Sequence, residues 1–386
     1  MVDAKTQAIL DFLQSQAEAK PELLEMFTQM GDLYARKLWH QLTVLLESFF
    51  LQAAAAELLI PIYETFVTDF KHRLNRLALS RLQVCVAKQY KESEKLLFFG
   101  NTIAEDAKKD DCQSSIYILS ELACLLLELD CEEQSKQRLD EATKLMDSTA
   151  GVEMSVQAAY YRAWSAYFKL KGPAHEFYKH ALLLLAYSPL GEMGEEEART
   201  ISFDLGIAAL VGEKLYNFGE LLEHPVVSVL EQTESAWLAL LLRAFNAGDI
   251  DQYEMLVAQY HTQLESQPTL LSNTNFLKEK ITLMCLAETL FERIGPAADR
   301  VVSFAHIAAA TRLPVDQVEL LLMRALSLKL IRGVIDEVDQ KFDVAWVQPR
   351  VLQMSQIELM SERLTSWTGT VGKTLAFLED ETPEFN

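Results

Sequence analysis

Residues 303–347 read SFAHIAAATRLPVDQVELLLMRALSLKLIRGVIDEVDQKFDVAWV. Within this stretch the apolar period switches from helical to alternating. Residues 303–312 and 314–328 place apolar side chains at three- and four-residue steps, which is the spacing of two short helices joined by a tight turn. Pro314 suits the first helical position, where its missing N–H would have no partner, and Asp316 complements the positive end of the helix dipole. Residues 330–336 and 341–347 then read as two strands around a mostly acidic turn, with Phe342, Val344 and Trp346 alternating onto one face of the second. Helix, turn, helix and hairpin in that order are the layout of a winged helix.

Upstream, from residue 3 to about 293, nearly every window shows apolar residues at helical spacing, broken by short polar or glycine turns. Around Gly248 and Asp249 the pattern is clearest. Trp237, Leu241 and Phe245 line one helix, and Tyr253, Leu256 and Tyr260 line the next. Gly248 can take the left-handed conformation that ends the first helix, and Asp249 can cap the second, so the two must form an antiparallel hairpin. Such hairpins bury their faces by stacking on one another. The strict 34-residue register of tetratricopeptide repeats is not met, so the array is irregular. The fold expected is therefore all-α with a small β-hairpin. An irregular, tetratricopeptide-like solenoid of helical hairpins occupies residues 1–200, a helical bundle 201–295, the winged helix 296–350, a last helix 351–378 and an acidic tail 379–386. An exposed acidic loop is expected over residues 188–197, and Gly295 and Pro296 mark the change of character before the winged helix.

Pro349 should stop the second strand, and Ser355 with Glu358 forms a capping-box pattern that opens the last helix. Along it Ile357, Met360, Leu364, Trp367, Val371 and Leu378 recur at alternating three- and four-residue steps, with Thr374 at the one polar seam position. That heptad seam is narrower than a globular core face and suits packing against partner helices. Gly369 and Gly372 lie off the seam and cost about 1 kcal/mol each in helix propensity, so the helix is expected to be marginal alone and to order on docking.

The composition excludes several classes of function. Of 386 residues half are apolar and a quarter charged, the balance of a folded chain, and the net charge of −21 opposes phosphate backbones and anionic lipid. Apolar runs such as residues 181–187 fall far below the roughly 18 to 20 needed to span a bilayer, and the N-terminus lacks the apolar stretch of a secretory signal. Cys85, Cys112, Cys124, Cys131 and Cys285 form an odd set without a C-x-x-C pair and read as reduced core residues of a cytoplasmic or nuclear protein.

No catalytic, metal or cofactor constellation emerges. His175 and His180 resemble the H-E-x-x-H zinc pattern with one residue too many, and five helical residues turn through about 500°, separating the imidazoles by roughly 140°. Residues 369–374 (GTVGKT) resemble a phosphate-binding loop, but Trp367 stands where its first glycine belongs and a helix precedes it. Nucleic-acid binding, a familiar use of a winged helix, is opposed by charge. Residues 314–329 are neutral, and the wing turn carries Asp336, Glu337 and Asp339.

Two stretches carry a specific resemblance: 215–225 (LYNFGELLEHP) and 242–249 (LRAFNAGD) are similar to the helical half of a PCI domain, with residues 303–347 supplying its winged-helix half. Residues 36–43 (RKLWHQLT), 217–225 and 334–351 (VIDEVDQKFDVAWVQPRV) make the chain most similar to PCI members in the lid of the 26S proteasome regulatory particle. PCI modules recur in the signalosome and in translation initiation factor three, which are the alternative assemblies. The resemblance implies a non-enzymatic scaffold that holds lid subunits in place for ubiquitin-dependent degradation, without a cofactor. It also implies that the winged helix joins neighbouring PCI subunits and that the last helix enters a shared helical bundle. By position the joining surface would include Ile331, Val334, Ile335, Phe342, Val344 and Trp346, and the bundle helix residues 355–378 with the seam from Ile357 to Leu378; the other reading of Phe342, Val344 and Trp346, and the favoured one for these three, is the winged helix's own core.

Overall fold

The computed structural model describes residues 4–381 except 21–22, 51, 53–57, 91–97, 101–111, 190, 192, 293–299 and 349–353. The chain divides into two compact units, Met1–Glu192 and Met193–Asn386. Position 200, the expected boundary, lies inside the helix Glu195–Val211, because its apolar positions run unbroken across it. Gly295, Pro296 and Pro349 lie outside the described residues.

In the first unit α1 (Ala4–Ala19), α2 (Leu24–Ala35), α3 (Trp39–Phe50), α4 (Arg76–Ala87), α5 (Cys112–Glu128), α6 (Glu132–Ser148), α7 (Met154–Lys171) and α8 (Ala174–Tyr187) pack largely as neighbours in sequence. Helix α4 is buried on most of its circumference, the polar Ser80 and Gln83 included. Leu79, Leu82 and Val86 join the aromatic core of Phe27, Phe49 and Phe66, while Leu77 turns to the core of Ile116, Leu139 and Tyr160. Arg81 leaves this helix to reach Glu47 (3.3 Å) and Glu153 (2.9 Å), tying α3 to the start of α7. The turns are tight. Lys37 and Asp130 take left-handed φ of 57°, and the following N–H groups of Leu38 and Cys131 donate back to Leu33 O and Leu126 O, satisfying the last carbonyls of their helices.

The second unit begins with α9 (Glu195–Val211) and continues through short helices to α10 (Ala236–Ala247), α11 (Ile250–Gln259) and the long α12 (Thr274–Glu292). Gly248 has φ 67°, and Asp249 Oδ1 accepts from Gln252 N at 3.0 Å, so the hairpin closes as its sequence dictates. A Cβ on Gly248 would lie 2.8 Å from Cys285 Cα, so the turn rests on the α12 backbone. Then follow β1 (Val301–Ser303), α13 (Phe304–Thr311), α14 (Val315–Ser327), β2 (Ile331–Asp336), β3 (Lys341–Val347) and α15 (Met354–Glu381). Pro314 is the N-cap of α14 in extended conformation, one position before the expected one. Helix α15 runs from Met354, one residue before the expected cap position at 355. The acidic residues up to Glu381 continue this helix beyond the expected end at 378.

Candidate assembly surfaces

The three strands are ordered β1-β3-β2, all antiparallel. Strand β1 was not legible in the sequence. It is three residues long, and its only signature is that Val302 is fully buried opposite Phe342. Strand β3 is therefore central, and among the described residues β2 has a strand partner on one side only. A bulge interrupts the β2–β3 register: Arg332 pairs with Trp346 and Gly333 with Val344, leaving Ala345 without an opposite residue. The extra residue reverses the alternation beyond it. Phe342 and Val344 face the interior, but Val347 replaces Trp346 on that face. Trp346 is half-buried and turns to the other side, where the Arg332 guanidinium stands 4.8 Å above its ring. The single face expected for Phe342, Val344 and Trp346 is thus corrected by one inserted residue.

The same geometry sorts the expected joining residues. Ile331, Phe342 and Val344 are buried with Val302, Ile307 and Leu322 in the winged helix's own core and present no side chain to a neighbour. Val334 is 69% exposed and Ile335 half-buried on the edge strand. At the tip, Asp336 Oδ1 accepts from Asp339 N at 3.1 Å, and Lys341 pairs with Asp339. On α14 the Arg324 guanidinium is spent on Glu279, 2.9 Å away on α12. The groove-reading elements thus carry acidic residues at one end and an engaged arginine on the other.

Helix α15 carries the second candidate surface. It is an unbroken helix through Gly369 and Gly372, around which there is open space. Ile357, Met360, Leu364, Trp367, Val371 and Leu378 are all exposed, Trp367 by 66%. At 100° per residue Leu375 falls on the same stripe, carrying it past Thr374. The stripe is long and continuous, and among the described residues it has no apolar cover. The GTVGKT stretch sits mid-helix with its backbone groups engaged in the helix.

The two histidines of the incomplete zinc pattern serve different surroundings. His175 is buried, with Nε2 3.2 Å from Glu176. His180 lies against Phe168, Trp164 and Tyr161, and its Nδ1 is 2.8 Å from Glu176 O. Among the described residues no His, Cys, Asp and Glu side chains group to hold a metal ion, and no helix is long and apolar enough to cross a membrane.

Comparison with known proteins identifies the family of the chain. A profile described as PSD13 N-terminal repeats matches residues 26–242, and a PCI-domain profile matches residues 257–346. The 26S proteasome non-ATPase regulatory subunit 13 homolog B of Arabidopsis thaliana is 40% identical over 384 residues, covering 98% of this chain and 99% of the relative. The chain belongs to the family of 26S proteasome non-ATPase regulatory subunit 13. Further members include the subunit of Dictyostelium discoideum, 35% identical over 97% of both chains, and RPN9 of Saccharomyces cerevisiae, 34% identical over 92% of both. The PCI match of this family ends at Trp346, so the exposed α15 seam lies beyond the domain that the profile describes.

Proposed function

We propose that this chain is a non-catalytic scaffold subunit of the lid of the 26S proteasome regulatory particle, in cytoplasm and nucleus. It would assemble and position lid subunits for ubiquitin-dependent protein degradation. The observation that carries this reading is similarity along nearly the whole chain to proteasome regulatory subunit 13 of several organisms. In this reading the winged helix meets a neighbouring PCI subunit along β2, where Val334, Ile335 and the Arg332–Trp346 pair are available, and backbone hydrogen bonding extends the sheet. The α15 seam enters a helical bundle shared with other subunits and covers Ile357, Met360, Leu364, Trp367, Val371 and Leu378. No nucleic acid or membrane partner is needed, and no cofactor.

The test is a pull-down from native extract with the intact chain and with a chain ending before Met354, scored by mass spectrometry and by peptidase activity of the recovered complex. The intact chain should recover proteasomal ATPases and core subunits, and the shortened one should lose most of them. Recovery of cullin ligases or of the small ribosomal subunit instead would move the chain to the signalosome or to initiation factor three.

A further inference from the structure

Helix α12 carries a lysine where its apolar stripe calls for an aliphatic residue. Lys280 lies one helical turn from Leu277 and Met284 and next to Ile281, all buried, and is itself fully buried. Its Nζ donates to three main-chain oxygens: Ala209 O at 2.8 Å, Leu210 O at 2.9 Å and Gly212 O at 2.8 Å. These belong to the last turn and cap of α9, where carbonyls have no partner within the helix. The rings of Phe218, Tyr216 and Phe276 surround the same nitrogen, with centroids 5.1, 5.6 and 5.6 Å away. Among the described residues no carboxylate forms an ion pair with it.

Three acceptors match the three donors of an ammonium, whereas a neutral amine has two. The negative end of the α9 dipole and the three ring faces also favour the cation. Burial acts the other way and pushes the Lys280 ammonium down to about 7. Helix α9 lies in the stretch matched by the N-terminal repeats and α12 in the stretch matched by the PCI domain. One side chain therefore joins the two.

We infer that Lys280 is a positioning residue whose internal cation fixes the end of α9 and the 212–218 turn against the PCI domain, and that its pocket is at heart an alkylammonium site. The site is made of three carbonyl oxygens and three aromatic faces, and the chain's own lysine fills it. An amine of the right length should therefore replace the side chain when it is cut back. This does not depend on the proteasomal reading and is tested on the isolated full-length chain.

Lys280→Met keeps the volume and removes the donors. Lys280→Ala leaves room for n-propylammonium, the group it deletes. Melting temperature and amide exchange over residues 212–218 are read for both. Each variant should melt roughly 10 °C lower and exchange faster there, since buried carbonyls lose their donors. Millimolar n-propylammonium should restore Lys280→Ala in part and leave Lys280→Met unmoved, while n-propanol and tetramethylammonium do nothing. The inference is overturned if Lys280→Met matches the wild type in both readings, or if n-propanol rescues as well as the amine. If both variants are recovered unfolded, refolding Lys280→Ala with n-propylammonium against n-propanol decides the same question: a gain specific to the amine supports the site, and none rejects it.

Discussion

Gly248→Ala puts a single methyl group against a wall that cannot yield. The wall is main chain: the added Cβ would stand 2.8 Å from Cys285 Cα, 2.9 Å from Cys285 N and 3.0 Å from Met284 C. No side chain can rotate away, so the α10–α11 turn must lift off α12 by some tenths of an ångström, which costs about 1–3 kcal/mol as overpacking does. Holding an L-residue at φ 67° adds about 1–2 kcal/mol, and the stiffer unfolded chain returns roughly 0.5–1 kcal/mol. The net loss is about 1–4 kcal/mol, or roughly 3–15 °C in melting temperature for a unit of this size. Calorimetry of the full chain measures it. Gly248→Asn separates the two terms, because asparagine tolerates the left-handed region but carries the same Cβ. If it recovers the wild-type melting temperature, the contact with α12 is not what requires glycine and the reasoning fails. Gly369→Ala is the control, since that methyl group meets open space in mid-helix and should lower nothing.

Further outcomes concern single contacts. Asp249→Ala removes the acceptor of Gln252 N and should cost about 1 kcal/mol in urea denaturation. Trp367→Asp alters an exposed side chain and should leave the melting temperature unchanged while abolishing co-purification with partner subunits; retained co-purification would remove the seam from the proposed interface. His224 Nδ1 accepts from Val226 N at 3.3 Å, and burial holds the imidazole below its ordinary pKa despite the opposing charge of Glu220. Below both pKa values the folded and unfolded states bind the proton equally. Between the lowered folded value and the unfolded value near 6.5 the unfolded state binds more, so stability falls as pH drops through that window. His224→Asn keeps an acceptor, and its stability curve should lose this component.

Legibility followed chemistry that is local. Gly248 and Asp249 announce their hairpin because each residue type has one dominant use at a helix end. Lys37 and Lys329 end helices with the same backbone geometry, yet nothing in a lysine side chain announces φ near 60°, and the turns are closed by the N–H groups of Leu38 and Leu330 donating back to Leu33 O and Ala325 O. The strands of the wing were readable from alternation, but the bulge at Ala345 was not, since one unpaired residue looks like any other alanine until a partner strand counts it out. The seam of α15 was readable because exposure removes the competing claims of a core. Lys280 sits on the buried stripe of α12, which was the available signal. What answers it is a set of carbonyls some seventy residues away, and side-chain patterns do not reveal carbonyls.

The arrangement of strands also sets a valence. The winged-helix sheet has six residues of edge at β2 and ends on its other side in a strand of three. An edge so short templates little, and a long one is saturated by a single partner. Backbone pairing through this sheet is in effect monovalent, and copies joined in that way alone would stop at a pair. In the assembly proposed above, α15 would supply a contact of another kind, made by exposed apolar side chains, so the loss of one connection would not be made good by the other.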